Sequence, residues 1–337
     1  MRLLLASLLP LLCLAQTPTI GLVEVYGARK IPSATIRKAA GVTMGARLPP
    51  SASSVEEELL RIPGVQEASV EAACCEAGKI ILYIGIAEKG SDAATYRPDP
   101  TEGPEIPEAV TTAYRKFIDE VSEAARAGQA GEDLTQGHSF LQYAPARAVQ
   151  ETFLPLARQF SSELRGVLRT ASSEDHRAMA AYVLQYHDDK KSVVEDLTYA
   201  LQDGDATVRG NAIRALAAIW LYGQRNPNAG ISLDPTLLAA MLNSAVWTDR
   251  NNAAVALVTM TESRPANALA SIRKQALTSL IEMARWRHVP HALPSYILLG
   301  RTAGIPETEL QSAWAAGERE KIIARASKTQ TSPPGRP

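Results

Sequence analysis

The chain has 337 residues, of which 46% are hydrophobic, 21% charged and only 5% aromatic, and its formal charge at pH 7 is -1. This composition excludes a disordered or collagenous chain, and the near-zero charge excludes a general attraction to phosphate backbones, so nucleic acid is not an expected partner. The length gives room for two domains.

Met1 and Arg2 open the chain, followed by a run from Leu3 to Leu14 that is apolar except for Ser7 and Pro10, and then Ala15. An apolar run this short cannot cross a bilayer of about 30 Å, which needs roughly 20 helical residues; after a basic start it has the form of a signal peptide. Residues 1–15 are therefore expected to be removed, leaving a mature chain that starts at Gln16 and works in the periplasm or outside the cell. Acylation of Cys13 is the alternative, disfavoured by the bulky Leu12 before it. The remaining cysteines, Cys74 and Cys75, are adjacent. Neighbouring Cα atoms lie closer than a disulfide usually spans, so free thiols or an intermolecular bridge are expected.

Residues 20–88 form one small unit. Val23 and Val25 belong to a strand that stops at Gly27, and Ser33 stands where an N-cap would open a helix over Ala34 to Ala40, closed by Gly41. Val55, Leu59, Leu60 and Ile62 recur at helical spacing before Pro63 and Gly64. Two strands follow, Val65 to Ala73 and Lys79 to Glu88; Ile80, Leu82, Ile84 and Ile86 share a face that the helices must cover. This strand, helix, helix, strand, strand order, with Gly27 four residues before Ile31, Gly64 and Val65 opening the hairpin and Glu88 closing it, resembles a POTRA domain. The resemblance implies a domain outside the inner membrane that binds other chains, often by strand addition at its sheet edge.

Residues 89–106 are polar and carry Pro98, Pro100 and Pro104, the chemistry of a linker. Residues 107–325 are helical in pattern. Val110, Tyr114, Phe117 and Val121 make one amphipathic stripe, and Phe153, Leu156, Phe160, Leu164 and Leu168 predict a second long helix. Residues 326–337 read as a disordered tail.

Within the helical part a nine-residue unit recurs, with arginine second, alanine fifth and leucine ninth: Arg177, Ala180, Leu184; Arg209, Ala212, Leu216; Arg250, Ala253, Leu257; Arg273, Ala276, Leu280. Alanine and leucine four apart lie on one helix face, the small residue admitting a neighbouring helix and the large one filling the seam. No such unit buries its face alone, and stacking gives a solenoid. The expected fold class is thus an α+β multidomain chain, a small β-α-α-β-β domain followed by an all-α solenoid. Residues 193–219, with Leu197, Leu201, Asp203, Asp205, Val208, Arg209, Ala212, Ala215 and Leu216, resemble a HEAT repeat of the short bacterial type. The resemblance extends over residues 172–290 and implies a ladder of aspartate and arginine between successive repeats. Only Arg209 has aspartate four residues before it; the others have Ser173, Val246 and Leu269. Arg209 is therefore expected to make the strongest buried pair, with Asp203 and Asp205, and Arg250 and Arg273 weaker ones.

No catalytic, cofactor-binding or metal-binding set assembles. His288 and His291 flank Pro290, expected to break the helix that would aim them, and His187, Asp188 and Asp189 fit a helix cap. A nucleophile elbow, a P-loop and a dinucleotide fingerprint are absent. Trp220, Trp247, Trp286 and Trp314 are candidates for core filling or for contact with a partner. The expected function is an exported, non-catalytic scaffold for a protein or peptide, an envelope complex being one setting. The alternative is an accessory or lyase-like protein acting on a cofactor or modified protein, because short HEAT repeats also occur in bilin lyases.

Overall fold

The computed structural model describes residues 19–328 except Ala77 and Ala130, with only the backbone of Cys75 and Glu76. The signal segment and the chain beyond Lys328 lie outside the described residues. The small domain comprises β1 (Ile20–Tyr26), α1 (Ser33–Ala40), α2 (Ala52–Leu60), β2 (Val65–Glu76) and β3 (Lys79–Glu88). Its sheet has the order β1-β3-β2, with β1 parallel and β2 antiparallel to β3. A parallel pair needs a crossover, and α1 and α2 supply it. Ser33 is the first residue inside α1 and not its cap; Gly41 closes the helix in the left-handed conformation, and the Ser51 hydroxyl caps α2 by accepting from Ser54 N. Leu82, Ile84 and Ile86 pack with Val23, Ile36, Val55, Leu59 and Val70 in a core of the domain's own. Cys74 is disulfide-bonded, where free thiols or an intermolecular bridge were expected. The register of β2 shifts between Ala73 and Glu76, so the ladder is irregular around Cys74.

The helical part runs through α3 (Glu108–Arg126), a hairpin of β4 (Glu132–Asp133) and β5 (Phe140–Leu141), α4 (Ala144–Gln159), α5 (Ser161–Thr170), α6 (Glu174–Leu184), α7 (Lys190–Ala200), α8 (Ala206–Arg225), α9 (Trp247–Met260), α10 (Ala266–Ala284), α11 (Val289–Thr302), α12 (Glu307–Ala315) and α13 (Arg319–Lys328). Short 3-10 turns at Pro227–Ala229, Pro235–Leu238 and Ala240–Asn243 join α8 to α9. The second long helix of the sequence reading is two helices, α4 and α5, broken at Phe160 (φ -110°, ψ 24°). Phe153, Leu164 and Leu168 still face one core, so the apolar spacing continues across a bend that periodicity does not register. The C-terminal helix runs three residues into the stretch read as tail, because Ala326 is buried beside Ile322 and Ile323. Among the described residues no helix is long and apolar enough to cross a membrane.

Candidate functional site

Arg177, Arg209 and Arg250 are each the fourth residue of their helices, α6, α8 and α9, and are 0%, 1% and 2% exposed. Helical side chains slant toward the N-terminus, so an arginine in the first turn reaches back past the start of its own helix. Each does so: Arg177 Nη1 donates to Ala171 O (2.8 Å), Arg209 Nη1 to Asp203 O (2.8 Å) and Arg250 Nε to Ser244 O (2.5 Å), in every case the carbonyl six residues earlier. A cation at a helix N-terminus opposes the macrodipole, and a carboxylate from the next repeat offsets it. Asp203 accepts from Arg177 Nε and Nη2, both at 2.9 Å, Asp249 from Arg209 Nη2 at 2.7 Å, and Glu282 from Arg250 Nη1 at 3.1 Å. The rungs connect successive repeats. Burial tends to lower the pKa of Arg177 and Arg209, but their carboxylate partners win and raise it.

Residues 161–258 match the family model of HEAT repeats. No curated protein and no solved structure matches the chain. The match spans α5 to most of α9 and contains all three ladder arginines. Within the matched residues the pairing differs from the one expected at two points. Asp203 serves the preceding arginine, and Asp205 caps α8 by accepting from Thr207 N (2.9 Å) and Val208 N (3.0 Å), so neither carboxylate pairs with Arg209. Arg250 is as deeply buried as Arg209 although valine stands four residues before it, since its carboxylate comes from α10. Arg273 lies in the middle of α10, outside the HEAT match and the ladder, and donates to Ala326 O at 2.7 Å.

The small domain docks on this stack. On β3 every residue from Ile81 to Ala87 with a side chain is buried: Leu82, Ile84 and Ile86 in the domain's own core, Ile81 and Tyr83 against the helices. Trp247 stacks on Tyr83 at 4.7 Å, Trp286 meets Tyr26 at 5.6 Å and Tyr83 at 5.2 Å, and His291 Nδ1 lies 2.6 Å from Tyr83 Oη. A Cβ at Gly85 would stand 1.8 Å from Ala245 O, so this approach of the strand to the bend before α9 requires glycine. Charge fits across the same seam. Val246 at the N-cap of α9 offers no side-chain acceptor; Glu71 of β2 takes its place, accepting from Trp247 N (2.6 Å), Thr248 N and Thr248 Oγ1. Glu24 of β1 accepts from Arg287 N (2.8 Å) and Nε (3.0 Å). Two of the four tryptophans considered for a partner thus hold the chain's own N-terminal domain; Trp220 and Trp314 are half-buried against the main core. Pro290 is the second residue of α11 and does not break a helix, and His288 and His291 stand edge to face at 4.2 Å. Among the described residues no group of three His, Cys, Asp or Glu could hold a metal.

Residues 89–106 are not a free linker. The Tyr96 ring lies 3.6 Å from the Arg209 guanidinium and its hydroxyl donates to Asp249 (2.7 Å); Arg97 N donates to Gln202 O (2.8 Å), Asp99 pairs with Arg177, and Ile106 is buried. A Cβ at Gly103 would stand 1.9 Å from Thr170 O. The prolines stiffen a strap laid along the ladder. Limited proteolysis of the native chain is therefore expected to leave residues 94–106 uncut while other exposed turns are nicked, as read by mass spectrometry of the fragments; early cleavage between Tyr96 and Ile106 would contradict the docked strap.

Asp189 caps α7 by accepting from Ser192 N (3.1 Å), and Asp188 pairs with Arg158. Beside this cap lies a buried polar cluster that sequence reasoning missed: Lys190 Nζ is 2.9 Å from His138 Nδ1 and donates to Gln185 O at 2.5 Å, while Gln150 Nε2 donates to the hydroxyls of Tyr182 and Tyr186. Burial, with the Lys190 charge beside it, takes His138 from 6.5 down to about 4, and burial takes Lys190 to about 8. Burial and His288 take His291 to about 4 as well. An unfolded histidine takes its proton near 6.5 and these two not until about 4, so their contribution is full above 6.5 and is lost as pH falls toward 4. Stability is expected to drop across that window, by up to about 1.4 kcal/mol per pH unit for each histidine. Denaturant melts should show a shallower slope in His138→Gln; an unchanged slope would place the titration elsewhere.

Proposed function

We propose that this chain is an exported, non-catalytic scaffold that presents its helical-repeat surface to a protein or peptide partner, with a POTRA-like domain fixed on the stack as part of the same body. The observation that carries the reading is the ladder inside the HEAT match. Its buried arginines are engaged with carboxylates of the next repeat and with carbonyls just before their own helices, which supports reading the stack as a rigid curved support. Because the strap and the small domain cover the ladder side from Arg177 to Arg250, the partner surface lies on the outer helices. Photo-crosslinking from intact cells tests this. A photoreactive residue at exposed Lys116 of α3 is expected to capture a reproducible partner, and one at Tyr96 in the strap only the chain itself; capture from Tyr96 alone, or from neither, would overturn it. Export has its own test, since mass spectrometry of the native protein should find Gln16 as the first residue.

A further inference from the structure

The first two rungs of the ladder are saturated. Arg177 and Arg209 give Nη1 to backbone carbonyls and present Nε and Nη2 to a carboxylate. Arg250 is turned differently: Nε takes the carbonyl, Nη1 takes Glu282, and Nη2 has no acceptor among the described residues. That nitrogen lies beside Gly27, where a Cβ would stand 3.3 Å from it. Arg250 and Gly27 line a cavity of about 350 Å³ between the small domain and α10, at the point where the strap departs.

The rim of this cavity is cationic. Arg29 and Lys30 come from the small domain, Lys89 from the start of the strap and Lys274 from α10, against Glu88 and Asp92. Glu88 is already engaged, accepting from the backbone N–H groups of Arg29 (2.9 Å), Lys30 (2.8 Å) and Ile31 (2.8 Å), which also holds its carboxyl below the usual range. Glu282 behind the wall is engaged by Gly27 N, Arg29 and Arg250. A buried guanidinium with one open donor, walls from two domains and a volume in the range of small-ligand sites together call for an acceptor with negative charge.

We propose that this seam cavity binds the phosphate or carboxylate group of a small anionic ligand, with Arg250 Nη2 as its buried donor and Lys30, Lys89 and Lys274 at the mouth. The ligand takes the one Arg250 donor that Glu282 and Ser244 O leave open on the third rung. It touches both domains and so tightens their seam.

Isothermal titration of the full chain with inorganic phosphate, pyrophosphate and citrate, in chloride buffer of matched ionic strength, tests the site. Saturable one-to-one binding of at least one probe is expected at roughly millimolar concentration or below, and the preference between phosphates and citrate identifies the source of the charge. Lys274→Glu should weaken it about tenfold with the ligand-free melt unchanged, while Lys116→Glu on α3 should leave it intact. Should Lys274→Glu fail to fold, Lys89→Glu on the opposite wall replaces it. Equal weakening by the α3 and cavity substitutions would mean diffuse charge attraction and overturn the proposal, as would the absence of saturable binding for all three probes.

Discussion

Replacing Arg209 by alanine is expected to cost about 3 to 5 kcal/mol of folding stability, the range for removing one member of a buried ion pair. Asp249 is fully buried and among the described residues keeps only Ser244 Oγ (2.8 Å) and Tyr96 Oη as donors once the arginine is gone, and the carbonyls of Asp203 and Gly204 lose the donor that Arg209 gave them. Arg177→Ala should cost nearly as much, because Asp203 is left buried. Arg250→Ala should cost less, since Glu282 is 20% exposed and retains Arg29 and Gly27 N. Denaturant melts of the three variants check the order; three equal, small losses would mean that the rungs do not hold the repeats together.

Trp286→Ala is expected to cost about 3 to 5 kcal/mol, the range for truncating a buried tryptophan. Its ring is 2% exposed and fills the seam between Tyr26 and Tyr83, so the loss falls on the docking of the small domain as well as on the stack. Two measurements should move together. The melt should shift to lower denaturant, and the strap, resistant in the native chain, should become an early cleavage site. Trp314→Ala, half-buried beside Tyr296 on α11, should lower stability by less and leave the strap protected. A variant that melts earlier with its strap still resistant would show that the seam does not depend on Trp286.

The parts that could be read from the residues are those in which physics acts within one helix or strand. Arginine, alanine and leucine recur at fixed spacing because each must meet its neighbour on one helix face, and the small domain's element order followed from apolar alternation and glycine stops. The partners of the arginines were not readable. Asp203, Asp249 and Glu282 lie 26, 40 and 32 residues after them and hold different positions within their repeats. The strap was missed because prolines and polar residues look alike whether the segment is free or docked. One signal was available: Ile80 to Ala87 is apolar on both faces of a strand, which half-buried sheets do not show, and it announced a second covering surface.

A stack of repeats in which each touches only its neighbours can open from its ends and melt piecemeal. Here the strap and sheet tie distant turns of the stack to one another. Tyr26 donates to the carbonyl of Ala245, 219 residues later, and Glu24 accepts from Arg287, 263 residues later. Such ties favour a single cooperative transition over stepwise fraying. They also impose an order of events on a newly made chain. The small domain has a core of its own and can fold as soon as it is synthesised, but the apolar face carrying Tyr83 stays uncovered until α11 has been made, so docking comes late and with the loop-closure cost of long-range contacts.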